Sequence, residues 1–141
     1  MTHPMSVRFR DATIAVRLRD EAEASDRSLS ALAEEILDEG LRMRKHPLVA
    51  FRPGASGRRA ALRGGPDVSE VVGGILGGDV PPSERVGRAV HLFGLTRAEV
   101  DAVLSYYADF TDEIDAEIAA NLTAADEAEA EWRRRQDLLA R

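Results

Sequence analysis

In the stretch MSVRFRD, Met5 to Asp11, the residues Ser6, Arg8 and Arg10 alternate with Met5, Val7 and Phe9. Period-two alternation is what a strand shows when one face is buried and the other meets something outside. Here the outer face is polar and cationic, so the outside object it suits is anionic. Arg reads guanine O6 and N7 bidentately and Ser can donate or accept at a base edge, so a two-stranded ribbon carrying Ser6 and Arg8, with Arg10 at its end, fits the major groove of B-DNA. An ordinary surface strand with solvated arginines would show the same pattern. A second candidate lies at Arg27 and Ser28. Ser28 is placed to cap a helix whose free N–H groups can meet a phosphate, and Arg27 adds charge there. A third lies near the C-terminus, where Ile118, Leu122 and Trp132 precede Arg133, Arg134 and Arg135. Buried Trp is enriched among protein-binding hot spots.

Other chemistries lack their residues. There is no Cys, which removes disulfides, thiolate metal sites and a Cys nucleophile. His3, His46 and His91 stand too far apart to suggest a metal site, and each reads as an ordinary surface or core histidine. No Walker loop, nucleophile elbow or GxGxxG is present. The expectation is a protein that is not an enzyme and uses no cofactor or metal.

The elements that must position these residues are mainly helical. Asp11 can cap a helix to about Ala24, with Ile14, Leu18 and Ala22 as its buried stripe. SDRS, Ser25 to Ser28, is a turn. The next helix carries Leu29, Leu32, Ala33, Ile36, Leu37 and Leu41 on one face, ends around Gly40 to Lys45, and is stopped by Pro47. Residues 1–45 thus read as strand, helix, turn, helix, and one strand with two short helices cannot bury its own apolar faces. A second copy is the simplest remedy. Two strands would pair antiparallel across a two-fold axis, with Val7, Phe9, Ile14, Leu18, Leu29, Leu32 and Ile36 forming the dimer core.

Residues 46–110 read as a hairpin plus three helices, resembling a winged or plain helix-turn-helix domain. Leu48–Arg52 and Arg58–Leu62 flank the turn PGASG. Asp67 and Glu70 form a capping pair for a short helix with Val68, Val71, Val72, Ile75 and Leu76 on one face. A helix from Ser83 turns Val86, Val90 and Phe93 inward. A third, opened by a Thr96–Glu99 capping box, turns in Val100, Val103, Leu104 and Tyr107, while Tyr106 packs under the hairpin. Residues 111–141 read as one long helix with Ile114, Ile118, Leu122, Ala125, Trp132 and Leu139 in a stripe too narrow to stand alone.

Charge divides the chain. Residues 1–63 hold 12 Arg/Lys and 9 Asp/Glu, whereas 64–141 hold 7 and 16, and together they give the net −6. From Asp109 to Glu131 there are nine acidic residues and no basic one. Opposite-sign halves point to different partners, or to a solvated surface that only keeps the chain soluble. No apolar run approaches the ~20 residues of a membrane helix, and the first 25 residues hold no secretory h-region. The expectation is a soluble, cytoplasmic protein with no membrane partner.

The stretch MSVRFRD…EASDRSLSALAEEILDEGL resembles the ribbon-helix-helix family of transcriptional repressors over residues 5–44. The resemblance implies an intertwined homodimer whose ribbon enters the major groove of operator DNA. One departure is Asp26, where that family usually has Gly in the turn; Asp tolerates left-handed backbone better than most residues. A second stretch, GRRAALRGGPDVSEVV with LTRAEVDAVLSYYADFTDEID, is similar to a small hairpin-plus-helices domain of bacterial antitoxins. The match is closest at Leu95–Thr96, Tyr106–Tyr107 and Glu113–Asp115, and Gly-Gly-Pro-Asp departs from that domain's Gly-Thr-Arg-Ile. The resemblance implies an antitoxin of a type II toxin–antitoxin pair, which neutralises a PIN-like ribonuclease toxin and represses its own operon. Ile118, Leu122, Trp132 and Arg133–Arg135 would then be the toxin contact. A stand-alone regulator whose second domain oligomerises or senses a ligand is the alternative, and pairing of dimers into tetramers stays open.

Overall fold

The computed structural model describes residues 2–141. The chain is mainly helical with one two-stranded antiparallel sheet, and it divides into two compact units, one ending at Arg44 and one running from Lys45 to Arg141. Among the described residues, no helix is long and apolar enough to cross a membrane.

The first unit is a helical pair, α1 (Ala12–Ala24) and α2 (Leu29–Lys45). Asp11 caps α1, its Oδ1 accepting from Thr13 N at 2.9 Å and from Thr13 Oγ1 at 2.6 Å. These bonds favour the carboxylate and hold the Asp11 pKa below its usual range. Ser28 Oγ accepts from Ala31 N at 3.1 Å, so the α2 cap is where the sequence placed it. Between the helices Asp26 takes φ +52°, the left-handed conformation that Asp tolerates and Gly prefers. Residues 2–9 are in neither helix nor strand, so the expected strand from Met5 is not formed within one chain. A strand is stable only against a neighbour, and in the ribbon reading that neighbour belongs to another copy.

The second unit opens with a hairpin, β1 (Val49–Gly54) and β2 (Gly57–Leu62), within two residues of the expected strands and in a register that sets Arg52 opposite Arg59 and Phe51 opposite Ala60. Then follow α3 (Val68–Ile75), a 3-10 turn at Pro82–Glu84, α4 (Arg85–Phe93), α5 (Arg97–Asp109) and α6 (Thr111–Leu139). One core joins them. Val49, Leu62, Val68, Val71, Val72, Ile75, Val100, Val103, Tyr106 and Ile114 are buried together, with Val86, Val90 and Phe93 packed against them. The glycines of α3 have a packing reason. A Cβ on Gly74 would lie 2.8 Å from the Phe93 ring, so only Gly lets α4 approach that closely. Gly94, at φ +64°, ends α4 in the left-handed cap, and Thr96 and Glu99 then close a full capping box on α5.

Three details differ from the sequence reading. Asp67 stands at the N-cap of α3 but makes no side-chain cap bond, because its carboxylate is taken by two arginines described below. Tyr106, not Tyr107, is the fully buried ring, packed 4.7 Å from Phe110 and 6.4 Å from Phe51 between centroids. Tyr107 is half-buried, and its hydroxyl donates to Asp115 Oδ1 at 2.6 Å. Leu76 lies just past the end of α3 and is exposed rather than on its buried face.

Candidate functional site

The candidate nucleic-acid face is the start of the first unit. Ser6, Arg8 and Arg10 are all exposed, and so are Val7 and Phe9 at 59% and 47%. The single chain therefore offers the cations to solvent while leaving their apolar neighbours uncovered. Arg27 Nη1 reaches Glu35 Oε1 at 2.8 Å, so its charge is shared with α2 beside Ser28. An open hollow of about 460 Å³ lies here, lined by Arg19, Ala22, Glu23, Asp26, Arg27, Ser28 and Leu29. On another face of the unit, Ile14, Leu18 and Ile36 line one groove of about 800 Å³ together with Ala24 and the polar rim of Arg17, Asp20 and Glu21. Three of the residues expected in a dimer core thus share one uncovered groove. Leu32 is buried with Ala22 inside the unit, whereas Ile14, Leu29, Ile36, Leu37 and Leu41 are exposed.

The second unit contains two polar centres. Asp67 Oδ1 accepts from Arg52 Nε at 2.8 Å and also from Arg52 Nη2, and its Oδ2 lies 3.5 Å from Arg59 Nη1. Arg59 Nη2 donates to Asn121 Oδ1 of α6 at 2.7 Å, and Arg52 Nη1 donates to the Gly65 carbonyl at 3.0 Å. Hairpin, α3 and α6 are thereby tied by one ionic network. Beside it, Arg59 Nε, Ser69 Oγ and Glu117 Oε2 are buried without a hydrogen-bond partner among the described residues. Burial raises the Glu117 pKa above the usual carboxylate range, with the Ser69 hydroxyl and Arg59 pulling the other way. The second centre is Asp109, whose Oδ2 accepts from Lys45 Nζ at 2.7 Å and lies 2.8 Å from Nε2 of the buried His46. Those bonds hold the Asp109 carboxyl below its usual range. His46 also meets Tyr106 edge-on at 5.2 Å. Both centres read as fasteners: the Arg52, Arg59 and Lys45 side chains each reach an internal acceptor, and among the described residues no cluster suited to a metal ion occurs.

The third candidate is α6. Its root is fixed, with Ile114 buried and Ile118 packed on the core. From Leu122 onward every residue is exposed, including Leu122 at 62% and Trp132 at 56%. Arg133 Nη2 donates to Glu129 Oε1 at 2.5 Å one turn back, a surface pair of small worth, and Arg134 and Arg135 are exposed. The expected contact set therefore splits into Ile118, half-buried against the chain's own core, and a bare distal half.

No family model, curated protein or solved structure matches this chain. The functional reading therefore rests on the residues themselves. Sequence reasoning missed the Arg52–Asp67–Arg59–Asn121 network, although the hairpin register would have shown that Arg52 and Arg59 share a face. It left His46 as a surface or a core histidine, and the structure buries it in the core; the Asp109 contact is what sequence reasoning did not foresee.

Proposed function

We propose that this chain is an antitoxin that binds operator DNA as a dimer and occludes a PIN-like ribonuclease. The observation that carries the reading is the open first unit. Its two helices keep a groove of Ile14, Leu18 and Ile36 and a row of large apolar side chains in solvent, directly after an alternating segment that carries Ser6, Arg8 and Arg10. A second copy covers that groove and supplies the missing strand. Val7 and Phe9 then turn inward, and Arg8 from both copies stands on one outward surface, where each bidentate guanine contact discriminates by about 1–3 kcal/mol.

The bare distal half of α6 favours an antitoxin over a stand-alone regulator, because a helix of this exposure needs a protein surface to rest on. Trp132 and Leu122 would anchor it on the ribonuclease. The acidic run would cover a basic RNA groove, and Arg133–Arg135 would reach the nuclease's acidic centre.

The test uses DNA from upstream of the chain's own reading frame. Arg8→Ala should weaken binding at least about tenfold while leaving the dimer intact, and the wild-type affinity should fall steeply with salt. Unchanged DNA affinity in that variant would remove the ribbon assignment. For the ribonuclease, co-expression with the neighbouring reading frame should yield a complex that is lost in Trp132→Ala.

A further inference from the structure

Three polar atoms at the root of α6 are buried and have no hydrogen-bond partner among the described residues: Arg59 Nε on β2, Ser69 Oγ on α3 and Glu117 Oε2 on α6. Native interiors rarely leave such groups unmatched, and an ordered water or ion commonly satisfies them. The three are neighbours. Burial raises the Glu117 pKa, and the Ser69 hydroxyl and the Arg59 charge oppose that rise, so both groups stand beside the carboxyl. They are also enclosed. Ser69 is 2% exposed, and Gly54 of the hairpin lies so close over Arg59 that a Cβ there would be 2.9 Å from Nε. The rest of the guanidinium is committed, with Nη2 on Asn121 Oδ1 at 2.7 Å and Nη1 at 3.5 Å from Asp67 Oδ2. Nε cannot turn elsewhere without breaking those contacts.

The chemistry of this set excludes most occupants. A cation would face the Arg59 guanidinium, and an anion would face Glu117 with Glu113 and Asp67 close by. An apolar group would leave all three polar atoms unsatisfied, which is costly. The occupant must be small and neutral. It must accept from Arg59 Nε–H and also donate to Glu117 Oε2. Water meets each requirement, and buried waters typically make about three hydrogen bonds. The Ser69 hydroxyl can donate or accept, so it takes whichever role is left over. The same arrangement survives a change in Glu117. Ionised, the carboxylate accepts from the water; protonated, it donates to the water, and Ser69 then accepts.

We propose that one internal water molecule is bound between β2, α3 and α6, held by Arg59 Nε, Ser69 Oγ and Glu117 Oε2. Helix α6 is then fastened to the hairpin directly through Arg59 and Asn121, and to both the hairpin and α3 through this water. The site lies wholly within the second unit and does not depend on DNA or on a ribonuclease.

Oxygen-17 relaxation dispersion of the solvent counts long-lived waters and is blind to exchanging hydroxyl protons. Measured on the full chain, Glu117→Met should lower the dispersion amplitude by the contribution of one molecule, with helical circular dichroism unchanged, because the bridging acceptor is gone. Ser69→Ala supplies the second readout. It has no hydroxyl at position 69 to relay magnetisation, yet Arg59 and Glu117 still hold the water. Its residue-69 amide should therefore keep a cross-peak to water in laboratory-frame and rotating-frame Overhauser spectra, with the opposite signs that mark a long residence. Equal dispersion amplitudes in wild type and folded Glu117→Met would overturn the proposal. So would loss of the water cross-peak in Ser69→Ala, which would mean that Ser69 bonds Glu117 directly. If Glu117→Met fails to fold, the Ser69→Ala cross-peak decides alone.

Discussion

The two units solve the same problem in opposite ways. The second unit, from Lys45 onward, closes a core of its own, in which ten or more apolar side chains from hairpin and helices are almost fully removed from water. The first unit buries only Ala22 and Leu32 among its described hydrophobic residues and leaves Phe9, Ile14, Leu29, Ile36 and Leu41 exposed. Both obey the same helix rules, with clean caps at Asp11, Ser28 and Thr96. Local signals therefore define elements equally well in both, and what separates them is whether the apolar face finds its partner within the chain. Good caps therefore do not by themselves close a core.

The largest expected effect breaks the closed unit. Tyr106 has no exposed surface and touches His46, Phe51 and Phe110. Tyr106→Ala should cost about 3–5 kcal/mol, the range of large aromatic truncations in cores, and lower the melting point by more than about 10 °C. That loss should be the same at any protein concentration. Ile36→Ala in the open unit should act through association instead, so its destabilisation seen by thermal melting should grow on dilution. A concentration-independent effect of Ile36→Ala would erase the contrast between the units.

Next in size is the ionic tie within the closed unit. Asp67→Ala leaves the Arg52 and Arg59 guanidinium groups without their carboxylate while Arg59 remains largely covered. Removing one partner of a buried polar contact costs about 1–3 kcal/mol, so urea melts should shift by that amount. Asp67→Asn should recover part of it, since the amide oxygen still accepts a hydrogen bond. If Asp67 acted only as a helix cap, both variants would stay within about 1 kcal/mol of wild type.

The network also shows where sequence reading runs short. Asp67 followed by Glu70 has the spacing of a capping pair, and nothing local says that the carboxylate is claimed by arginines fifteen and eight residues earlier. Tyr106 and Tyr107 are equally ambiguous. Adjacent residues on a helix differ by about 100°, and only the position of Phe51 on the hairpin decides which ring goes inside. Asp26 is the opposite case. Its backbone was legible because the requirement is local, one left-handed residue between two helices, and the structure gives it φ +52°. The caps at Asp11, Ser28 and Thr96, the two hairpin strands and the long final helix were all of this kind. Contacts between distant segments were not, since period and spacing carry no information about partners.

The smallest effect concerns pH, and it separates two carboxylates of opposite sign within the closed unit. Burial raises the Glu117 pKa, so the folded state holds that proton more tightly than the unfolded chain. Its contribution to stability is full below the ordinary carboxylate value and is lost as pH rises through the folded one. Asp109 is shifted down by Lys45 and His46, so its contribution is present above the ordinary value and is lost as pH falls through the folded one. Wild-type melting temperature followed from mildly acidic to neutral pH should therefore carry a small downward component from Glu117, and Glu117→Gln should remove it. Asp109→Asn should leave that component in place and lower stability at neutral pH instead. If Glu117→Gln leaves the slope through this window unchanged, the carboxylate is as well solvated in the fold as in the unfolded chain. The root of α6 would then be held by Ile114 and Ile118 with the Arg59–Asn121 and Tyr107–Asp115 hydrogen bonds, and Glu117 would add nothing to it.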